Sequence, residues 1–186
     1  MKKQLIIIGA GGHGKVIADI AMKMKQWKNI AFLDDGEQIE PPFGLKVLGK
    51  IKDAPRYEKD ADFFVAVGNN AMREGMQEEL ERKGMSMATL IHPQAVMGQE
   101  VEIGAGSVVM AGVVINSSSK IGKGCILNTS CSLDHDNIIE DYVHISPGAH
   151  LAGTVRIGRR SWLGIGSIVS NNIAICGDCV IGAGAV

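Results

Sequence analysis

The chain has 186 residues and a mass of 19.7 kDa, room for one or two domains with a proper core, which excludes a peptide hormone or a disulfide knot. Nineteen Lys and Arg against 20 Asp and Glu leave a net charge of -1, with no surplus to attract a polyanion, so nucleic acid is not an expected partner. Four cysteines without a secretory context do not make a disulfide framework, and the early apolar run at 5–8 is too short for a signal peptide or a membrane span; the chain reads as a soluble cytoplasmic protein.

Residues 5–8 read as a buried strand, after which Gly9-Ala10-Gly11-Gly12-His13-Gly14 leads into Val16, Ile17, Ile20, Ala21 and Met24 at helical spacing. A second strand at 30–33 ends on Asp34-Asp35. A third at 63–67 ends on Gly68-Asn69-Asn70, before a helix carrying Met72, Met76 and Leu80. Such β-α-β and β-α units build a parallel sheet that binds ligands at the carboxyl ends of its strands, where Gly12, Asp34 and Gly68 are expected to gather.

Gly9, Gly11 and Gly14 satisfy G-x-G-x-x-G, and Asp34 lies about twenty residues on, the place of a ribose-binding acid. Alone, the pattern says NAD. A nicotinamide site needs both mononucleotide halves of the sheet, and residues 1–90 supply roughly one, so a nucleotide sugar fits better. A merely tight strand-to-helix turn is the plain alternative. His13 is a candidate to reach a phosphate or a sugar hydroxyl, the alternative being a solvated loop histidine.

From Ile91 a repeat takes over. Stepping by six to Ile181, all sixteen positions are aliphatic or Met, against a chance expectation on the order of 10⁻⁵ for the six phases, so ordinary strand alternation is a poor explanation. A second column two residues before each anchor is dominated by small residues, among them Ser107, Ser119, Cys125, Cys131, Ser161 and Cys179, and its cysteines read as packing residues. Gly follows the anchor at Gly104, Gly122, Gly158, Gly164 and Gly182, which the pattern attributes to a turn needing unusual backbone angles. This is the hexapeptide pattern of a parallel β-helix, aliphatic anchors inside and turns at the corners of a prism.

Composition changes at the same place. Residues 1–90 hold 27 of the charged side chains and six aromatics, and residues 91–186 hold 12 and two, so two domains are expected to meet near Ile91, with His92-Pro93 at the joint. The repeat stops in mid-pattern at Gly184-Ala185-Val186 where a cap is normal, and the natural protein is expected to be longer.

Within the repeat, Asn128-Thr129-Ser130 and Asp134-His135-Asp136, followed by His144 and His150, are polar side chains out of keeping with an aliphatic prism. A His beside carboxylates can be held in one tautomer and made more basic, as a general base near neutral pH requires; a surface His beside charged turn residues is the alternative. His135, His144 and His150 also invite comparison with a three-histidine zinc site of the γ-type carbonic anhydrases, for which a glycine-loop domain would be needless.

Gly-Ala-Gly-Gly-His-Gly at 9–14, Phe32-Leu33-Asp34-Asp35, Val67-Gly68-Asn69-Asn70, Ile126-Leu127-Asn128-Thr129-Ser130, and Asp134-His135-Asp136 followed by His144-Ile145-Ser146-Pro147-Gly148-Ala149 resemble the bacterial sugar acetyltransferases of the PglD/NeuD type. Five motifs in order on two matching domains cover essentially the whole chain. The resemblance implies a Rossmann-like nucleotide-sugar-binding domain at 1–90 and a left-handed β-helix acetyltransferase domain at 91–186. It also implies a homotrimer, and acetyl transfer from acetyl-CoA, without a metal, onto a sugar such as a UDP-4-amino-4,6-dideoxy-hexose.

By the same resemblance His135 is the base, and Asp136, where the family often has Glu, orients it. Asn128 holds the amino group, His144 helps place acetyl-CoA, and Gly153 offers a backbone N–H to the thioester oxygen. Gly12, His13, Asp34, Asp35 and Gly68 line the UDP-sugar pocket. No activated Ser or Cys stands in a recognisable triad, so direct transfer is expected rather than an acyl-enzyme. O-acetylation of sialic acid or a related sugar is the alternative chemistry, and a non-catalytic sugar-binding scaffold the alternative class. His135 and His144 are nine residues apart, half of an eighteen-residue coil, so one site uses both only if neighbouring subunits contribute.

Overall fold

The computed structural model describes residues 4–37 and 40–186, which form two compact units, Met1–Leu90 and Ile91–Val186. The first unit is built on a parallel sheet with strand order β3-β2-β1-β4, where β1 is Gln4–Ile8, β2 Asn29–Leu33, β3 Lys46–Val47 and β4 Ala61–Val65. Leu5, Ile6, Ile7 and Ile8 of the central strand are all 0% exposed. A strand covered on both faces has no polar side to show, hence its continuous apolar run.

Helix α1 (Gly12–Met24) follows β1 and helix α2 (Asn70–Arg82) follows β4. The chain runs from β1 to β2 and β3 on one side, then returns to place β4 on the other side of β1. The strand order therefore reverses between β1 and β4, and the crevice outside their carboxyl ends is the switch point at which sheets of this kind bind ligands. The short β3 and a 3₁₀ segment at Ile51–Tyr57 lie between β2 and β4, where the sequence pattern indicates no element. A lone two-residue strand and a single 3₁₀ segment, not repeated along the chain, leave no period.

The second unit is a left-handed parallel β-helix. Sixteen two-residue strands, from Leu90–Ile91 to Val180–Ile181, stack as three parallel sheets that form the faces of a prism. Paired residues are eighteen apart, as in Ile126 with His144 and His144 with Trp162. From Val109 to Leu163 every anchor is at most 4% exposed. Each such side chain contributes about 1.5–3 kcal/mol relative to exposure, which is what makes the column stable without a conventional core.

The corners correct one expectation. Gly104, Gly122, Gly158 and Gly164, immediately after their anchors, are there because a Cβ would strike the next coil's backbone, for example Gly177 N at 2.3 Å from Gly158 and Ala183 N at 2.6 Å from Gly164. Positive φ falls instead three residues after the anchor, at Gly106, Gly112, Gly124, Gly148 and Gly166 but also at Ser118, Ser130, Asp136, Tyr142 and Thr154. Asp136 therefore occupies a left-handed position that Asp and Asn tolerate better than most side chains.

The small column is a hydrogen-bonding device as well as a packing one. Ser119 Oγ donates to Asp134 O (2.9 Å) and accepts from Asn137 N (3.2 Å), and Ser161 Oγ does the same with Cys176 O (2.8 Å) and Cys179 N (3.2 Å). Cys125 and Cys131 are fully buried, and burial pushes the Cys131 thiol up to about 12, which leaves it protonated and inert. Cys176 and Cys179 stand in a Cys-x-x-Cys spacing at a corner, and both are free thiols.

Candidate functional site

In the first unit the glycine loop and the β4–α2 loop meet at the switch point. Gly9 has φ +98°, and a Cβ there would sit 3.2 Å from Ala66 O; at Gly14 it would sit 2.1 Å from Gly9 O. These two glycines close the turn and let the helix begin against the strand. Gly11, Gly12 and Gly68 have no atom within 4 Å of a Cβ position, so they leave backbone open at the crevice. The first turn of α1 has no side-chain cap and no acidic residue, so its N–H groups and the positive end of the helix dipole face that opening.

Asp34 does something the ribose expectation did not foresee. Its carboxylate accepts from Ala10 N (2.7 Å) and Gly36 N (2.8 Å), tying the glycine loop to the end of β2. Asp35 accepts from Ile51 N (2.9 Å) and lines a separate cavity of about 220 Å³ together with Ile51, Met76 and Lys83. Gly12, His13 and Gly68 are thus gathered at the crevice, Asp34 braces it, and Asp35 turns toward the 3₁₀ segment.

His13 lies in the first turn of α1 with a buried Nε2 that has no hydrogen-bond partner among the described residues. Burial, aided by the nearby Arg73 guanidinium, pushes its pKa from 6.5 down to about 4. It is a neutral imidazole, not a cation, at physiological pH. Below pH 6.5 the unfolded chain's imidazole takes up a proton that the folded one refuses until about pH 4, so the unfolded state gains relative stability in that window. The full loss is on the order of 3 kcal/mol. We expect the urea midpoint of the wild type to fall further between pH 7 and pH 4.5 than that of His13→Gln; parallel pH dependences would refute the assignment.

Arg73 is the residue that sequence reasoning missed in this unit. It is 0% exposed and donates to Val67 O (3.0 Å), Gly68 O (3.1 Å) and Asn70 Oδ1 (2.8 Å), fixing the loop after β4. The stripe at 73, 77 and 80 has helical spacing, but Arg73 and Gln77 made it look like the wet face, whereas Met72 on the apparent apolar face is 55% exposed.

In the prism, two groupings form. His135 sits in the turn between Ser132–Leu133 and Ile138–Ile139, with Nδ1 2.8 Å from Asp136 Oδ2. One coil on, Gly153 lies beneath its ring: a Cβ there would be 2.7 Å from both Cε1 and Nε2 of His135. On either side of Gly153, Ala152 N donates to Val169 O and Thr154 N to His135 O, and the intervening Gly153 N–H is outside this ladder among the described residues.

The second grouping is on another face. Asn128 Nδ2 is 3.2 Å from His144 Nε2, and the His144 ring stacks on Trp162 with centroids 5.9 Å apart and planes at 10°. Trp162, half exposed, donates to Ser146 Oγ (2.7 Å); the sequence signal for it is that it is one of only two aromatics in the repeat. His150 pairs instead with Ser132 Oγ (2.7 Å) on the face whose strands lead into the His135 and Gly153 turns. The three histidines do not converge within one chain, and among the described residues no group of three or more His, Cys, Asp or Glu is placed to hold a metal ion.

Known proteins are similar to this chain in sequence and fold. The PglD N-terminal domain family matches residues 4–80. The acetyltransferase domain of PglB from Neisseria gonorrhoeae FA1090, solved with acetyl coenzyme A, superposes with a TM-score of 0.95 at 39% identity, over 100% of this chain and 91% of that one. The chain belongs to the PglD/NeuD-type sugar acetyltransferases.

Two further members of this acetyltransferase group are similar. Perosamine N-acetyltransferase from Caulobacter crescentus, solved as a histidine variant with CoA and GDP-perosamine, has a TM-score of 0.92 and 34% identity over 97% of this chain and 86% of that one. UDP-N-acetylbacillosamine N-acetyltransferase from Bacillus subtilis (strain 168) is 37% identical over 118 residues, 59% of this chain and 52% of its own length. No helix among the described residues is long and apolar enough to cross a membrane.

Proposed function

We propose that the protein transfers the acetyl group of acetyl-CoA to the amino group of a nucleotide-linked amino sugar, of the UDP-4-amino-4,6-dideoxy-hexose type, with His135 as general base. The observation that carries this reading is the His135 Nδ1 contact with Asp136 Oδ2 at 2.8 Å, made while the imidazole lies over Gly153. With the Nδ1 proton held by a carboxylate, the lone pair is on Nε2, which with Cε1 is the part of the ring nearest the Cβ position of Gly153. A sugar ammonium is no nucleophile until it loses a proton, and a neutral Nε2 is the acceptor for it.

The amine nitrogen then attacks the thioester carbonyl carbon, the C–N bond forms, the C–S bond breaks, and the proton that the nitrogen gives up on becoming an amide ends on the sulfur, so CoA leaves as the thiol. The Gly153 N–H is the donor for the carbonyl oxygen as it gains charge. Asn128 and His144, in contact with each other, hold the amino group and the acetyl-CoA respectively. Gly12, His13 and Gly68 receive the nucleotide sugar at the switch point, on a glycine loop that Asp34 braces, with Asp35 beside it. Transfer is direct, in a ternary complex.

His135 at its corner and His144 on another face support a homotrimer in which adjacent prisms complete each site. The apolar outward residues Val96 and Ile168 on the face that also carries His150, 59% and 47% exposed, suit such an assembly. The test is release of CoA thiol from acetyl-CoA with a panel of UDP- and GDP-linked 4-amino sugars and a hydroxyl-only sialic acid. Acetamide formation on a UDP-linked amino sugar is expected. Transfer to the hydroxyl substrate alone would move the enzyme to O-acetylation, and no thiol release with any of them would leave a binding scaffold.

A further inference from the structure

We propose that Asn137 is a positioning residue for acetyl transfer, its buried amide clamping the turn that carries His135 to the turn that carries Gly153. The inference rests on the reading of His135 as base and Gly153 as oxyanion donor. Asn137 occupies the small column, two residues before its anchor, and is 0% exposed.

At Ser119 and Ser161 a hydroxyl in this column makes one donated bond to the carbonyl fifteen residues on and accepts one from the N–H eighteen residues on. Asn137 keeps both, to Ala152 O (3.1 Å) and from Val155 N (3.0 Å), and adds a third to Asp134 O (2.6 Å) within its own turn. Asp134 O immediately precedes His135, Ala152 O immediately precedes Gly153, and Val155 N–H lies two residues beyond it. One buried side chain therefore fixes the base-bearing turn and the oxyanion-bearing turn against each other.

An amide is required for this because it has two N–H donors and a carbonyl acceptor, whereas a hydroxyl has a single proton and can reach only one of the two carbonyls. In Asn137→Ser the hydroxyl serves Ala152 O, while Asp134 O retains Ser119 Oγ. No buried carbonyl is orphaned, so the prism survives. What is lost is the side-chain tie from Asp134 O to the coil above, leaving the two turns joined by backbone bonds alone, such as Thr154 N to His135 O (3.0 Å).

The test is steady-state kinetics of the full chain with acetyl-CoA and its best amino sugar. Asn137→Ser is expected to fold, to keep both KM values within about twofold, and to lose roughly ten- to a hundredfold in kcat, the cost of a base displaced by a fraction of an ångström to an ångström. Ser161→Ala, which removes the column's ordinary pair of bonds at another corner, is the control. It should lower the melting temperature at least as much as Asn137→Ser while kcat stays at the wild-type value. Equal kcat losses in the two variants would make Asn137 a structural brace only and overturn the proposal.

His135→Ala is measured alongside. If it is inactive while Asn137→Ser turns over at the wild-type rate, the positioning role fails and the base stands; if it is fully active, the base assignment itself fails. Should Asn137→Ser not fold, Asn137→Cys, a residue this column already holds at Cys125 and Cys131, enters the same comparison. Failure of both to fold overturns the proposal in favour of a structural requirement.

Discussion

His135→Ala is expected to lower kcat by roughly 10² to 10⁴, the usual worth of a positioned general base, with acetyl-CoA affinity largely intact. The imidazole is 58% exposed and, among the described residues, bonds only to the equally exposed Asp136 carboxylate, so its removal leaves no buried group without a partner and the fold is expected to be unaffected. Asp136→Asn should cost less. The asparagine can still accept from Nδ1–H and hold the tautomer, but it no longer supplies the charge that favours the imidazolium formed as the amine is deprotonated. Single-turnover rates at saturating acetyl-CoA, with CoA affinity measured separately by calorimetry, check both. Wild-type turnover in His135→Ala would remove the base from this turn altogether.

The parts of this fold that were legible in the sequence are those that repeat or bury long apolar runs. The sixfold column from Ile91 to Ile181 is visible because each anchor must face the axis of one prism, and residues 5–8 are visible because β1 is covered on both sides. Local bonding left less trace. Nothing in the spacing of Asp34 separates a carboxylate that receives a ribose from one that receives the Ala10 and Gly36 N–H groups. Arg73 was hidden because a buried cation, satisfied by loop carbonyls and an amide oxygen, has the same letter as a solvated one.

The site was legible unevenly for the same reason. Asp134-His135-Asp136 is conspicuous in an aliphatic repeat, but the contact of His135 with Gly153 depends on stacking residues eighteen apart, and that of Asn128 with His144 on residues sixteen apart. The glycines after the anchors suggest turn angles because a sequence records that a side chain is missing, not which atom would have struck it. In the fold, Gly158 makes room for the Gly177 backbone and Gly153 makes room for the His135 ring.

That distinction sets the second large effect, Gly153→Ala. The position has no positive φ to strain, and the obstacle to a methyl group is an exposed imidazole on a side chain that can rotate, not a neighbouring coil. Gly153→Ala is therefore expected to fold with little loss of stability, whereas Gly158→Ala, whose Cβ would lie 2.3 Å from Gly177 N, must push two coils apart and should melt earlier. The catalytic consequence runs the other way. A Cβ cannot remain 2.7 Å from Cε1 and Nε2, so the ring must swing outward, giving up its place over the Gly153 backbone and its 2.8 Å contact with Asp136. A displacement of about 1 Å at the reacting base costs on the order of a hundredfold in kcat, although the substituted residue would still carry the N–H that faces the thioester oxygen. Melting curves and kcat for the two variants separate the cases, and a Gly153→Ala enzyme with wild-type kcat would mean that His135 does not work from the position it occupies over this turn.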